Sequence, residues 1–371
     1  MSQTSFTSKF VSIGQRSIHV RLSEPAPPPN APTTKPPVIF LHAVGSNSSS
    51  WVTPLLMAPQ LAQHRQLVLF DSDGHGLSPW SGRDQMTVVD LLHDLLALLN
   101  ELQFRQVAIV AHSLFCHVAS LFALNFPART DKLLFLHPIR YLTDAMRGAL
   151  LSQASHIRSM SPGNSPPSSP LSPSMMSRMT LPPIRPASTP AALSSIAVTT
   201  STSSISRHSL QTNYSAQSLI HRLVLSTHPS AYAATQKALV RCCFSSPLAS
   251  EYSAGSSSTS PSGLNLNVNV TPQHCEMLIV GGEEDDLASP ELLRAWVEEV
   301  QLQRGQHEFE SGWGGQEVWR KGKRSRTSGS GAGNGSGVKE IILKDVGHWA
   351  CVEEPLQMSR ILLSWGMRND Q

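Results

Sequence analysis

The chain has 371 residues, of which 40% are hydrophobic and 15% charged, with a net charge of +3. That is enough apolar material for a substantial core, and too little charge to point to nucleic acid or an anionic membrane as a partner. The charge deficit is made up by Ser, Thr, Pro and Gly, the composition of disordered insertions within a folded frame. The 5 cysteines have no framework spacing. Cys116 and Cys351 lie in apolar stretches and Cys242 and Cys243 are adjacent, which fits a reducing compartment and leads us to expect a cytoplasmic location. The amino-terminal residues lack the basic start and apolar run of a secretory signal. No stretch approaches the roughly 18 consecutive apolar residues of a membrane span.

Residues 10–22 alternate apolar and polar and break at Gly14-Gln15, which predicts an opening antiparallel hairpin. A Pro-rich connector over 25–37 follows. Residues 37–42 are a short continuous apolar run, the pattern of a strand covered on both faces. Residues 67–71, 107–111, 132–136 and 277–280 repeat that character, and 341–343 is a shorter candidate. Between them, 86–102, 114–126, 290–303 and 353–365 carry helical spacing, with Pro290 at a helix start. Strands alternating with helices predict a mostly parallel, doubly wound α/β sheet with helices on both faces.

Three segments interrupt the alternation. Residues 152–209 are Ser/Pro-rich, with Ser-Pro pairs at Ser161, Ser165, Ser169 and Ser172, and are expected to be largely disordered. Residues 253–262 are a shorter segment of the same kind. Residues 305–337 are Gly/Ser/basic-rich, and the basic run at 320–326 reads as a solvated loop. Between the first two segments, 215–243 is helical in pattern and reads as a small helical lid. The expected organisation is a core over 1–145, a lid region over 146–268, and a second part of the core over 269–371.

The run 107–111 ends in His112-Ser113 and passes straight into a helical pattern. A sharp strand-to-helix turn is where a nucleophilic serine is presented with a helix N-terminus behind it. A serine hydroxyl needs a base, and the base needs an orienting acid. Candidates follow in the order Ser, Asp, His: Asp285 just beyond the 277–280 strand, and His348 after Val346-Gly347. Asp286 is the alternative acid, because a one-residue slip in the turn exchanges the two. All of these fall at the carboxyl ends of strands, where open α/β sheets place their sites.

Four motifs in this order make the chain resemble the α/β-hydrolase superfamily, and within it the 3-oxoadipate enol-lactonase-like branch. Phe40-Leu41-His42-Ala43-Val44-Gly45 is similar to the family's oxyanion loop, and Asp71-Ser72-Asp73-Gly74-His75-Gly76-Leu77-Ser78 to its Asp-x-x-Gly-His-Gly-x-Ser turn. Ala111-His112-Ser113-Leu114 resembles the nucleophile elbow. Gly282-Glu283-Glu284-Asp285 with Pro290, and Gly347-His348 with Glu353 and Pro355, resemble the acid and base motifs. His228-Pro229-Ser230-Ala231-Tyr232 looks like the lid helix.

The resemblance implies a cofactor-free and metal-free serine hydrolase acting on a small carboxylic ester or lactone through an acyl-enzyme. Ser113 is then the nucleophile, His348 the base and Asp285 the acid, with the backbone N–H groups of Val44 and Leu114 as the oxyanion hole. His42, His75 and Asp73 are expected to be structural. Two departures stand out: Phe115 occupies a position where the tight elbow calls for glycine, and Ala43 replaces the oxyanion-loop glycine. Phe115 keeps open the alternative of a catalytically impaired hydrolase fold used for ligand binding or interaction. Other chemistry of the same triad, such as C–C bond hydrolysis or acyl transfer, is a further alternative.

Overall fold

The structure, a computed structural model, describes residues 4–24, 35–83, 85–160, 191–245, 275–304 and 337–367. The expected hairpin pairs β1 (Ser5–Ile13) with β2 (Arg16–Glu24) across a turn in which Gly14 has φ 61°. Then come β3 (Val38–Leu41), α1 (Val52–Leu56), α2 (Pro59–His64) and β4 (Leu67–Phe70). Helix α3 (Val88–Glu101) starts at a capping box in which Thr87 and Asp90 satisfy each other's backbone N–H. Next are β5 (Val107–His112), α4 (Phe115–Asn125), β6 (Thr130–Leu136) and the short β7 (Tyr141–Leu142). Five helices follow: α5 (Asp144–Met160), α6 (Ala191–Ser203), α7 (Arg207–Thr212), α8 (Tyr214–Leu225) and α9 (Pro229–Cys242). Strand β8 (Phe244–Ser245) pairs with β7 and ties the two ends of this helical region together. The chain closes with β9 (Glu276–Gly282), α10 (Pro290–Arg304), β10 (Val338–Leu343), α11 (Ala350–Glu353) and α12 (Pro355–Met367).

Eight strands form one sheet in the order β1-β2-β4-β3-β5-β6-β9-β10. The pairings β1/β2 and β2/β4 are antiparallel, and all those from β4 to β10 are parallel. The central strands are continuous apolar runs because alternate side chains feed two separate cores. Val107, Ile109 and Ala111 of β5 join the core under α3, α4 and α10. Ala108 and Val110 join the core under α1, α2 and α12. Ser113, the loop after β3 and the loops after β9 and β10 therefore meet along one edge of the sheet.

Composition makes 152–209 a disordered insertion, yet its described parts, 152–160 and 191–209, are largely helical. The few apolar residues there are spaced to pack: Ala154, Ile157, Leu193, Ile196 and Ala197 bury against Val224, Tyr232 and Ala233. The Ser and Thr residues of α6 satisfy their hydroxyls on the preceding turn, Thr199 on the Ser195 carbonyl and Ser203 on the Thr199 carbonyl. Helices α5 to α9 thus form a helical region larger than the 215–243 segment read from periodicity. That segment itself splits at Pro229, and 353–365 splits at Pro355. The Ser-Pro pairs, 253–262 and 305–336 lie outside the described residues. No helix among the described residues is long and apolar enough to cross a membrane.

Candidate active site

Ser113 sits between β5 and α4 with φ 58°, in the left-handed region that a non-glycine residue adopts only when its surroundings enforce it. Its N–H donates to the Leu136 carbonyl at 2.9 Å, which fixes the turn to the end of β6. Leu114 already has helical dihedrals at the start of α4, so its N–H belongs to the donors that a helix N-terminus leaves unpaired. Strand β3 is the other neighbour of β5, which brings the loop carrying Val44 alongside.

The imidazole of His348 lies 3.1 Å from Ser113 Oγ through Nε2 and 2.9 Å from Asp285 Oδ2 through Nδ1. All three residues are buried, at 3%, 4% and 2% exposure for Ser113, His348 and Asp285. Asp286 is exposed. The N–H groups of Leu287 and Ala288 donate to Asp285 Oδ1 and hold Oδ2 toward the imidazole. The acid and base loops are stitched together, with the Glu283 N–H on the Leu343 carbonyl and the Glu284 N–H on that of Val346. Glu353 braces the base loop, accepting from the N–H groups of Gly347 and Trp349 and also from Ser206. The link between α6 and α7 therefore lies directly on the base loop. A Cβ on Gly347 would come within 2.7 Å of the Ser206 nitrogen.

His137 was not among the sequence candidates. Its Nδ1–H donates to Asp285 Oδ2 at 2.8 Å, the same oxygen that receives His348. His112 adds a third imidazole, donating from Nε2 to the His348 carbonyl at 2.8 Å. Burial pushes His112 and His137 below the ordinary histidine range, so both are neutral dipoles. Burial opposes the charge on Asp285, but His348 and the His137 hydrogen bond overcome it and hold the carboxyl well below the usual carboxylate range. Asp285 is thus ionised and doubly braced. His137 was legible by the rule that found Ser113, since it directly follows the apolar run of β6.

The Phe115 ring is 1% exposed and points away from the triad, 5.4 Å from the His42 ring and 6.4 Å from Phe70. It fills the core between the sheet and α3, beside a small cavity lined by Ile13, Ile18, Leu91 and Leu98. The missing glycine is thus compensated by space below the elbow, and the turn keeps its hydrogen-bond geometry. Phe115→Ala is expected to lose about 3–5 kcal/mol of stability in urea unfolding; a loss under about 1 kcal/mol would contradict this packing. Ala43 is not among the residues of positive φ; the strained position in that loop is Gly45, at φ 68°. A Cβ there would lie 2.6 Å from the Tyr232 ring of α9. Helix α9 therefore abuts the loop after β3, and the link between α6 and α7 abuts the loop carrying His348.

The remaining family histidines and acids hold loops. His42 Nε2 accepts from the Ser72 N–H at 3.0 Å, and its Nδ1–H donates to the Ala43 carbonyl. His75 Nδ1 bonds the Asp73 carbonyl, and burial drives its pKa to about 3. Asp73 accepts from the Ser81 N–H and pairs with Arg83. Asp71 accepts from the N–H groups of Ser48 and Leu77 and from His19. Against the cost of burial, those bonds bring its pKa down to about 2.

The sequence profile of the alpha/beta hydrolase fold family matches residues 36–313, roughly three quarters of the chain. The chain belongs to that family. An uncharacterized protein of Mycobacterium tuberculosis is 33% identical to this hydrolase-fold chain over 101 residues. The match covers 27% of this chain and only 28% of that curated relative's length. Among solved structures, a thermophilic esterase from Thermogutta terrifontis is similar with a TM-score of 0.60 and 15% identity, covering 97% of each chain. The enol-lactonase from Burkholderia xenovorans has a TM-score of 0.61 at 12% identity, over 96% of this chain and 99% of its own. A hydrolase from Pseudomonas aeruginosa has 0.62 at 16% identity, over 98% and 99%. At such identities the likeness is one of fold.

Proposed function

We propose that this chain is a serine hydrolase that cleaves a small carboxylic ester or lactone through an acyl-enzyme intermediate. The observation that carries the reading is the relay from Ser113 Oγ through His348 to Asp285, with links of 3.1 and 2.9 Å. Ser113 Oγ attacks the carbonyl carbon while His348 Nε2 takes its proton. The oxyanion is held by the N–H groups of Leu114 and Val44, a stabilisation whose loss at one donor typically costs about 10²–10³ in rate. The tetrahedral intermediate expels the alcohol, protonated by His348; for a lactone the alcohol stays attached to the acyl chain. Water, deprotonated by His348, then releases the acid and restores Ser113. Asp285 keeps His348 in the tautomer with Nδ1 protonated. These steps use serine, histidine, aspartate and backbone donors and call for no cofactor.

The low exposure of Ser113 implies that substrate enters when the lid moves away from the base and oxyanion loops. A cytoplasmic site of action is supported by the cysteines, of which Cys116, Cys242, Cys243 and Cys351 are free thiols. Fluorophosphonate labelling of purified protein beside Ser113→Ala tests the assignment. Labelling lost in the variant is the expected outcome. A folded wild-type protein that does not label would overturn it in favour of a silent hydrolase fold used for binding.

A further inference from the structure

Away from the triad, three metal-binding side chains from distant parts of the chain converge where the lid meets the core. His117 lies on α4, four positions after Ser113. Cys242 ends α9 and Cys243 follows it. The imidazole nitrogen and the two sulfurs all lie within 4.8 Å of one another. Cys243 Sγ is 3.8 Å from His117 Nε2, and the Ile139 carbonyl oxygen is 2.6 Å from that nitrogen and 3.2 Å from that sulfur.

Adjacent residues on a helix point about 100° apart and do not face a common partner. Here they do, because the helix ends at Cys242 and Cys243 is extended, with φ −84° and ψ 145°. His117 and Cys243 are buried and Cys242 is half-buried as a residue, and the cluster is enclosed. The sequence carries no Cys-x-x-Cys or His-x-x-x-His spacing to announce it, since the pair and the histidine are 126 positions apart.

We propose that His117, Cys242 and Cys243 form a zinc site that clamps the end of lid helix α9 to nucleophile helix α4. Two thiolates and an imidazole are a zinc donor set. Bond lengths of about 2.3 Å to sulfur and about 2.0 Å to nitrogen place tetrahedral donors roughly 3.5–3.8 Å apart, so from separations within 4.8 Å the cluster needs a contraction of at most about 1.3 Å. The Ile139 carbonyl or a water takes the fourth position. Binding replaces two S–H bonds by two Zn–S bonds and releases two protons to solvent. His117 coordinates through Nε2, and the proton that Nε2 now offers to the Ile139 carbonyl moves to Nδ1. The site is independent of the proposed chemistry at Ser113.

The test uses the full-length protein, reduced with a phosphine and stripped of metal by a chelator. Titration with Co²⁺ should give a thiolate-to-cobalt charge-transfer band that saturates at one equivalent and is abolished by one equivalent of Zn²⁺. Cys243→Ser and His117→Asn should each weaken Zn²⁺ binding by about 100-fold or more, beyond the effect of losing a supporting residue. Cys242→Ser, at the half-buried position, serves if either fails to fold. Absence of the band in the wild-type protein overturns the proposal, and so does a band that survives in the folded Cys242→Ser/Cys243→Ser double variant.

Discussion

Asp285→Asn lowers kcat for ester hydrolysis by about 10⁴-fold, while Asp286→Asn leaves it within about twofold. The expectation follows from which oxygen meets which nitrogen. Asp285 Oδ2 accepts from His348 Nδ1 at 2.9 Å, leaving Nε2 unprotonated to receive the Ser113 proton. An asparagine amide offers N–H where the imidazole needs an acceptor, so the ring flips tautomer and presents a proton to the serine. The same substitution also leaves the His137 Nδ1–H, 2.8 Å away and fully buried, without its anionic partner. Asp286 is exposed and touches none of this. Steady-state kinetics on an activated ester decides between them. Equal losses in the two variants, or a loss only at Asp286, would sink the assignment of the acid.

Acidification below about pH 6.5 is expected to destabilise the fold through its buried histidines, opposed by Glu340, whose carboxyl burial raises to a pKa of about 7 so that it gains stability on protonation. His42, His75, His112 and His137 are each 0% exposed. Burial is the main reason all four have lowered pKa values, His75 down to about 3. In the unfolded chain they take up protons below about 6.5, whereas in the native state they stay neutral. The unfolded state thus binds more protons, and stability that is complete above pH 6.5 is lost as pH falls toward the native pKa values. Each such histidine contributes at most about 1.4 kcal/mol per pH unit, and only down to its native pKa, while Glu340 offsets part of the loss. Against a typical total of about 5–15 kcal/mol, even part of that loss is a measurable weakening of the fold. Asp71, at about 2, and Asp285, well below the usual range, add a second loss only below about pH 4. Urea unfolding at pH 7.5, 6.5 and 5.5 measures the slope directly. A free energy constant within about 1 kcal/mol over that range would refute it.

The strand-end rule that identified Ser113 also applied to His137, which follows β6 as Ser113 follows β5. It was missed because a lone histidine after a strand carries no spacing signal; its meaning comes from Asp285, 148 positions away. Phe115 shows the reverse. Judged by the elbow alone it is a defect, since the local rule knows only that a tight turn wants a small residue. Whether space exists below the turn depends on Phe70, His42 and α3, which come from other parts of the chain.

Read by itself, the sequence determined the doubly wound parallel sheet, its main strands and the helices at 88–101, 115–125 and 290–304, and it singled out Ser113, Asp285 and His348 as candidates. These are local or one-dimensional properties: apolar period, proline and glycine placement, and residues at strand ends. The tertiary structure placed Asp285, and not Asp286, against His348, because a carboxylate's reach depends on direction as well as position. It also turned a Ser-rich stretch into lid helices, since burial of Leu193 and Ile196 against Tyr232 supplies what composition lacks. And it brought His117 to Cys242 and Cys243, where only the end of a helix lets neighbouring side chains face one partner.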